Sequence, residues 1–401
     1  MGSARNSFLL LLVCAARAFA QIDPDHRELI QVGYNGALEG HQPLSAYVFY
    51  YVNHPGFLDH TNLTLRMAVA PTYIDSELGI SGALGENTGV GLGLAGGGFA
   101  DSYAEIREGT YLPSESFFGH GGEVRASIYH LFNPGHLIPL NGVLRGTARY
   151  STYADSDTDE DFQLPHNRVT SSVRTGLRWG GREPVLFPRL AMELSIWYEG
   201  QFRTDDDSYG YGDRRVEPYS HLFWAQGTLV YTLPDSGHSF DLSLSAGTSI
   251  NADRFSAYRL GALLPLISEY PLSLPGYYYQ EISADQFVLL SGNYLLPLEH
   301  TRRWFLNLNA ATAIVDYLPG MEQPGNSLSG VGAGLLYAGN SWKVMVGYAY
   351  GVDAMRSHGR GANSIGVLLQ FDWGKAKRQG FDPTTPNLWR GFQRVFGLFG
   401  A

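Results

Sequence analysis

The sequence predicts an all-β protein, a closed antiparallel transmembrane β-barrel of 14–16 strands. Three observations carry that prediction. Apolar and small or polar residues alternate over strand-length segments along most of the chain. Short turns and long loops alternate between those segments. The composition is rich in glycine (49) and tyrosine (25) while charge stays at 16%, which suits many strands, tight turns and aromatic belts. No stretch after the N-terminal region approaches the length of a transmembrane helix, and only helices and closed barrels satisfy their backbone polar groups in lipid.

Residues 1–20 read as a signal peptide: Arg5 supplies a basic start, Phe8 to Ala16 a short apolar run, and Ala18-Phe19-Ala20 a small-residue cleavage site. The single cysteine, Cys14, falls inside it as an apolar residue of the run. Removing twenty residues from 401 leaves 381 without a cysteine, so neither disulfides nor thiol chemistry is expected. The net charge of −10 excludes nucleic acid as a natural partner.

Residues 21–43 form a periplasmic lead or a first strand, with Leu29 to Tyr34 as the strand candidate, and residues 44–373 form the barrel. Leu44 to Val52, Asn62 to Leu78 and Asn87 to Ala100 are the next strands, the last with Val90, Leu92 and Leu94 opposite glycines. A long polar loop spans about Asp101 to Gly122. Glu123 to Phe132, Leu140 to Tyr153, Arg168 to Trp179, Leu190 to Phe202, Val216 to Leu233 and Ser239 to Ile250 follow. Their connections alternate between short turns near Asn133, Gly181 and Asp235 and long acidic or polar loops. The longest loop is Asn251 to Ser283. Gln286 to Leu298 and Trp304 to Tyr317 lead to the clearest alternation in the chain. Val331, Ala333, Leu335 and Tyr337 face away from Gly330, Gly332 and Gly334; Trp342, Val344, Val346, Tyr348 and Tyr350 repeat the pattern. A polar loop near Gly359 then precedes Ile365, Val367, Leu369, Phe371 and Trp373, with Phe371 and Trp373 as an aromatic barrel-end signal. Sorting of loop lengths by end is the mark of a membrane barrel. About fifteen candidates are visible, and an even number is required: fourteen if Leu29 to Tyr34 lies outside, sixteen if a strand near the N-terminus is hidden. Residues 374–401 are a tail in which Trp389, Phe392, Phe396 and Phe399 recur at helical spacing, an amphipathic helix or a loose segment.

Three stretches resemble the bacterial surface-antigen barrel family, the outer-membrane assembly and translocation superfamily that also supplies the barrel of patatin-like proteins. They are YAYGVDAMRSHGRGANSIGVLLQFDW, FSAYRLGALLPLISEYPLSLPGYYYQEISADQFVLLSGNYLLPL and, more faintly, GHGGEV at Gly119 to Val124. The resemblance implies sixteen strands and a long loop folded into the lumen, where a Val-Arg-Gly-aromatic motif anchors it to the wall. The matching place here is Leu274-Pro275-Gly276-Tyr277, with proline where the family has arginine. About twenty residues separate the signal peptide from the first strands, so the family's periplasmic polypeptide-transport-associated domains are expected to be lacking.

By parity, Arg66, Arg125, Arg145, Arg149, Arg168, Arg174 and Arg178 face the lumen, with Glu123, Glu193 and Glu199 as opposing charges. They either line a water-filled channel or pair with one another in a filled interior; a barrel of this size has room for water. Gly91 to Gly96 matches G-x-G-x-x-G but has no helix after it, so it is no dinucleotide site. Asp155, Asp157, Asp159 and Asp161 begin like a calcium loop, yet Glu160 and His166 stand where glycine and glutamate belong. Asp205 to Asp207 is likewise a solvated acidic run. No H-E-x-x-H or G-x-S-x-G is present. The reading is therefore an outer-membrane barrel of a Gram-negative-type bacterium acting as a channel or in transport, not an enzyme, without cofactor or metal. Its expected partners are outer-membrane lipid and, during insertion, the assembly machinery. The alternatives are a surface-exposed barrel binding a partner through acidic loops, and a barrel hydrolase.

Overall fold

The computed structural model describes residues 25–155, 157–262 and 270–378. Residues 1–24, which include the expected signal peptide, and residues 379–401 of the tail lie outside the described residues. Sixteen antiparallel strands close into a barrel: β1 (Arg27–Ala37), β2 (Ala46–Pro55), β3 (Leu63–Val69), β4 (Tyr73–Ile80), β5 (Thr88–Gly97), β6 (Phe118–Leu131), β7 (Leu140–Ala154), β8 (Arg168–Gly181), β9 (Leu190–Arg203), β10 (Tyr219–Thr232), β11 (Ser239–Ile250), β12 (Ile282–Pro297), β13 (Trp304–Tyr317), β14 (Ser327–Ala338), β15 (Trp342–Arg356) and β16 (Gly359–Asp372). Each strand pairs with its neighbours in sequence. β1 pairs with β16 from Leu29 opposite Asp372 to Ala37 opposite Ser364, so no edge is left open. A seventeenth member of the sheet, Tyr258–Leu260, only extends the end of β12 from within a loop.

The strand count is settled near the N-terminus in favour of the sixteen-strand alternative. Leu29 to Tyr34 belongs to β1 and closes the barrel. The segment Asn62 to Leu78, expected as one strand, is the hairpin β3–β4, turned at Ala70-Pro71-Thr72 by paired backbone hydrogen bonds between Ala70 and Tyr73. Two loops are also shorter than expected. The one after Asp101 ends at Phe118, where β6 begins. The Arg, His and Gly-rich stretch before Gly359 is mostly strand: β15 continues through a bulge between Gly351 and Met355 and turns at Ser357-His358.

The alternation works as lipid solvation. Leu94 and Ile314, 61% and 60% exposed, stand for a belt of outward apolar side chains reaching all round the ring. Facing water, a belt of this extent would be an association hazard; facing lipid tails it is the barrel's solvent interface. No helix among the described residues is long and apolar enough to cross a membrane. The connections 98–117, 155–167, 204–218 and 251–281 share one end, here the loop end. Connections 132–139, 182–189, 233–238, 298–303 and 339–341 share the other, the turn end. At the turn end Phe371 stacks on Trp342 (4.1 Å) and meets Trp373 edge-on (5.6 Å). Trp373 opens a short helix, α1 (Trp373–Arg378), tied to β1 by Lys377 Nζ on the Glu28 carboxylate at 2.8 Å.

Candidate functional site

The inward faces of the strands enclose a cavity of about 2400 Å³ that runs from the turn end to the loop end. Arg66, Glu123, Arg125, Arg145, Arg149, Arg168, Arg174, Arg178, Glu193 and Glu199 all line it, because strand parity sends them inward together. They stand mostly as a lattice of ion pairs flat against the wall. Glu77 on β4 collects Arg66, Arg125 and Arg145 at 3.7, 3.5 and 3.6 Å. Arg125 also reaches Asp75, Arg149 pairs with Glu123 at 3.1 Å and with Asp101, and farther round Arg174 meets Glu199 at 2.6 Å and Arg178 meets Glu193 at 2.8 Å. Arg168 differs: it is buried, donates to the Tyr153 hydroxyl at 2.7 Å and stacks on the Phe255 ring at 4.1 Å. The opposite wall is mostly neutral and polar, with Asn293, Asn307, Asn309, Ser243 and Ser291 beside Asp241.

The loop end is roofed. Tyr103, Phe117, Phe162, Tyr209 and Val216, from three different loops, form one apolar cluster, with Phe255 packed against it. Beside it Glu105, fully buried, takes Arg254 at 3.2 Å, Arg214 and Arg107 at 3.5 Å, and the Tyr103 hydroxyl at 2.6 Å. Burial alone would raise the Glu105 carboxyl; Arg254 and Arg214 more than offset this and hold it below its ordinary value. Glu115, bonded to both Arg107 and Arg214, completes the network. The acidic runs serve this roof. Thr158 N–H donates to Asp155 and Asp161 N–H to Asp159, so these carboxylates stabilise turns. Only His166, Asp205 and Asp207 converge as potential metal donors among the described residues, and they do so on the exposed rim, away from the cavity.

The longest loop folds inward. Tyr258, Leu260, Leu272, Leu274 and Tyr277 are buried against Phe287, Leu289, Ala311, Ala313, Val315 and Leu328 of the wall. Pro275-Gly276 lies on bare backbone: Gly330 and Gly351 face each other across β14 and β15, and a Cβ on either would meet the loop. Gly276 itself has φ +85°, and a Cβ there would strike the backbone of Gly351. This explains why position 330 on the inner face of β14 is glycine. Leu274, Pro275, Gly276 and Tyr277 thus form one part of the loop that touches the wall. Proline stands where the related motif has arginine, and the cation comes from the other side. Arg356, at the end of β15, donates to Glu281 at 2.9 and 3.1 Å and stacks on Tyr278 at 3.6 Å. Both side chains of that pair are buried. Strict alternation from Val344 to Val352 would put Arg356 on the lipid side; the bulge between Gly351 and Met355 turns it inward, and nothing in the sequence links it to a glutamate 75 residues away.

The turn end also holds a feature the sequence did not announce. Residues 182–189 do not turn back on their own hairpin. Leu186 is buried with Leu295, Leu336, Met345 and Leu368, and Phe187 packs on that cluster. The only forewarning is an apolar Val185-Leu186-Phe187 run inside a turn.

No protein-family model matches this sequence, and no curated protein matches it. Solved structures match its fold. CdiB from Acinetobacter baumannii superposes with a TM-score of 0.56 at 11% identity over 86% of this chain and 60% of CdiB. CdiB from Escherichia coli gives 0.56 at 12% identity over 87% of this chain and 63% of CdiB. BamA from Haemophilus ducreyi lacking POTRA domains 1–3 gives 0.54 at 9% identity over 86% of this chain and 70% of BamA. The chain thus spans about 60% of the length of the CdiB structures it matches. At these identities the likeness is one of fold, and the sixteen-strand barrel implied by the surface-antigen resemblance is the fold of this chain.

Proposed function

We propose that this chain is an outer-membrane barrel of a Gram-negative-type bacterium that passes material through its lumen and is closed in the state described. The observation that carries the reading is the 2400 Å³ cavity running between the two ends of a barrel whose covers are segments of its own chain. A purely structural barrel of sixteen strands gains nothing from leaving that volume open, because filling it with side chains would add packing contacts. The ion-pair lattice keeps the charged wall polar while leaving few bare charges, which suits a pathway that must not bind its cargo tightly. Lipid solvates the outer belt, and the assembly machinery of that membrane is the expected partner during insertion.

Planar-bilayer conductance tests the reading. The mature chain is refolded with and without residues 251–281. Current that appears or grows on loop removal, and shifts in ion preference when Arg174 and Arg178 are neutralised, supports a gated conduit. Insertion without current of both forms, and of a loop-deleted form in which residues 182–189 are also replaced by a two-residue turn, would refute it.

A further inference from the structure

We propose that residues 182–189 form a strap that seals the turn end of the lumen and undocks to open it. The inference rests on the transport reading above and assigns its gate. Among the turn-end connections this one reaches the far wall. Its flanks belong to β8 and β9, yet its tip is held by β15 and β16, which stand almost opposite on a ring of sixteen. Leu186, 3% exposed, sits with Met345 and Leu368 of those strands and with Leu295 and Leu336 beside them. The Leu186 N–H donates to Gln370 Oε1 at 2.8 Å, and the Lys343 ammonium donates to the Leu186 and Phe187 carbonyls. Glu183 and Arg182 steady the base against Arg27 (3.7 Å) and Asp241 (3.2 Å).

Two features make this a latch. Pro184, Val185, Leu186 and Phe187 line the cavity, so lifting them exposes it to the turn side. The attachment is also small, Leu186 and Phe187 with three hydrogen bonds at the tip and two ion pairs at the base, whereas β8 and β9 on either side are joined by a full ladder. Phe187 is held at φ +48°, a left-handed conformation unfavourable for a bulky residue, which undocking would relieve. A segment of this kind opens locally while the barrel stays intact.

The mature chain has no cysteine, so single thiols report cleanly. Ser172→Cys places one in the cavity wall. Its modification by a charged thiol reagent is timed in the otherwise native chain and in the same chain carrying Lys343→Met and Gln370→Ala. The inference expects slow modification with the latch intact and modification about tenfold faster without it, from the shift in docked population. Rapid modification in the latched chain, or equal rates in two heat-modifiable barrels, overturns it and leaves the strap a static brace. In a second arm, Leu186→Cys with Gln370→Cys is measured in a bilayer after deletion of residues 251–281. Current only after reduction supports the strap as gate. Undiminished current in the oxidised form overturns the gate but not the transport reading. If a barrel lacking residues 251–281, with the strap replaced by an Asn-Gly turn, inserts and still carries no current, the transport reading itself fails.

Discussion

Replacing Arg356 with methionine removes one partner of a buried ion pair and leaves Glu281 without its cation in a site where both side chains are almost fully covered, 2% and 0% exposed. Breaking such a pair from one side costs about 3–5 kcal/mol. The lost stacking on Tyr278 at 3.6 Å is part of the same cost. The barrel ladders do not depend on this pair, so the cost falls on docking of the long loop. A loss of about 3 kcal/mol corresponds to roughly a hundredfold rise in the undocked population. Limited proteolysis within residues 251–281 reports that population when loop opening is fast relative to cleavage. Arg356→Met is expected to be cut about a hundredfold faster than the parent. The double variant Arg356→Met with Glu281→Leu leaves no stranded charge and is expected to recover most of the protection. Cleavage of the single variant at the parent rate, in a barrel that remains heat-modifiable, would refute the argument and assign loop docking to its apolar contacts alone.

Three further outcomes are expected. Gly276→Ala forces a Cβ at φ +85° into the Gly351 backbone, so the loop should become protease-sensitive while the barrel still inserts. The Glu105 carboxyl is held below its ordinary value, so its contribution to the roof is full above the ordinary carboxylate range and is lost as pH falls through the depressed folded value. Conductance of the strap-free barrel should therefore rise on acidification, and Glu105→Gln should abolish that dependence. Leu244→Arg, on the lipid face near the middle of β11, should destabilise the barrel by about 2–4 kcal/mol in a reversible folding assay, whereas Ser243→Arg on the lumen face should be tolerated.

Much of the barrel was legible because membrane strands carry two solvents in one repeat. Lipid on one side and lumen on the other force the same alternation from β6 to β16, and parity alone is enough to predict an inward position for Arg145, Arg174 and Arg178. The hairpin at Ala70-Pro71-Thr72 escaped notice since its turn contains no glycine or asparagine and apolar residues run on both sides. The Arg, His and Gly stretch at Arg356 to Gly361 looked like a loop because its polarity marks the barrel's end, while its backbone still pairs. The site was less legible for a different reason. The Arg356–Glu281 pair, the Glu105 cluster and the Leu186 latch each join segments far apart in the chain, and their partners are chosen by the diameter of the ring, which no local pattern encodes.

Barrel closure has a kinetic consequence. Every other wall contact joins neighbours in sequence, but Leu29 to Ala37 must find Ser364 to Asp372 across almost the entire described chain. Loop-closure entropy for that one pairing is the largest in the fold, and until it is met both β1 and β16 present unsatisfied edges. The seam is therefore the natural last step of folding, and the half-built sheet needs either a catalyst or a surrogate strand to shield its edges while it waits. Pairing made last is absent from the transition state, so mutations that weaken it along Val32 and Leu369 should speed the loss of heat-modifiable barrel far more than they slow its appearance, whereas equivalent changes between β8 and β9, paired earlier, should mainly slow its appearance.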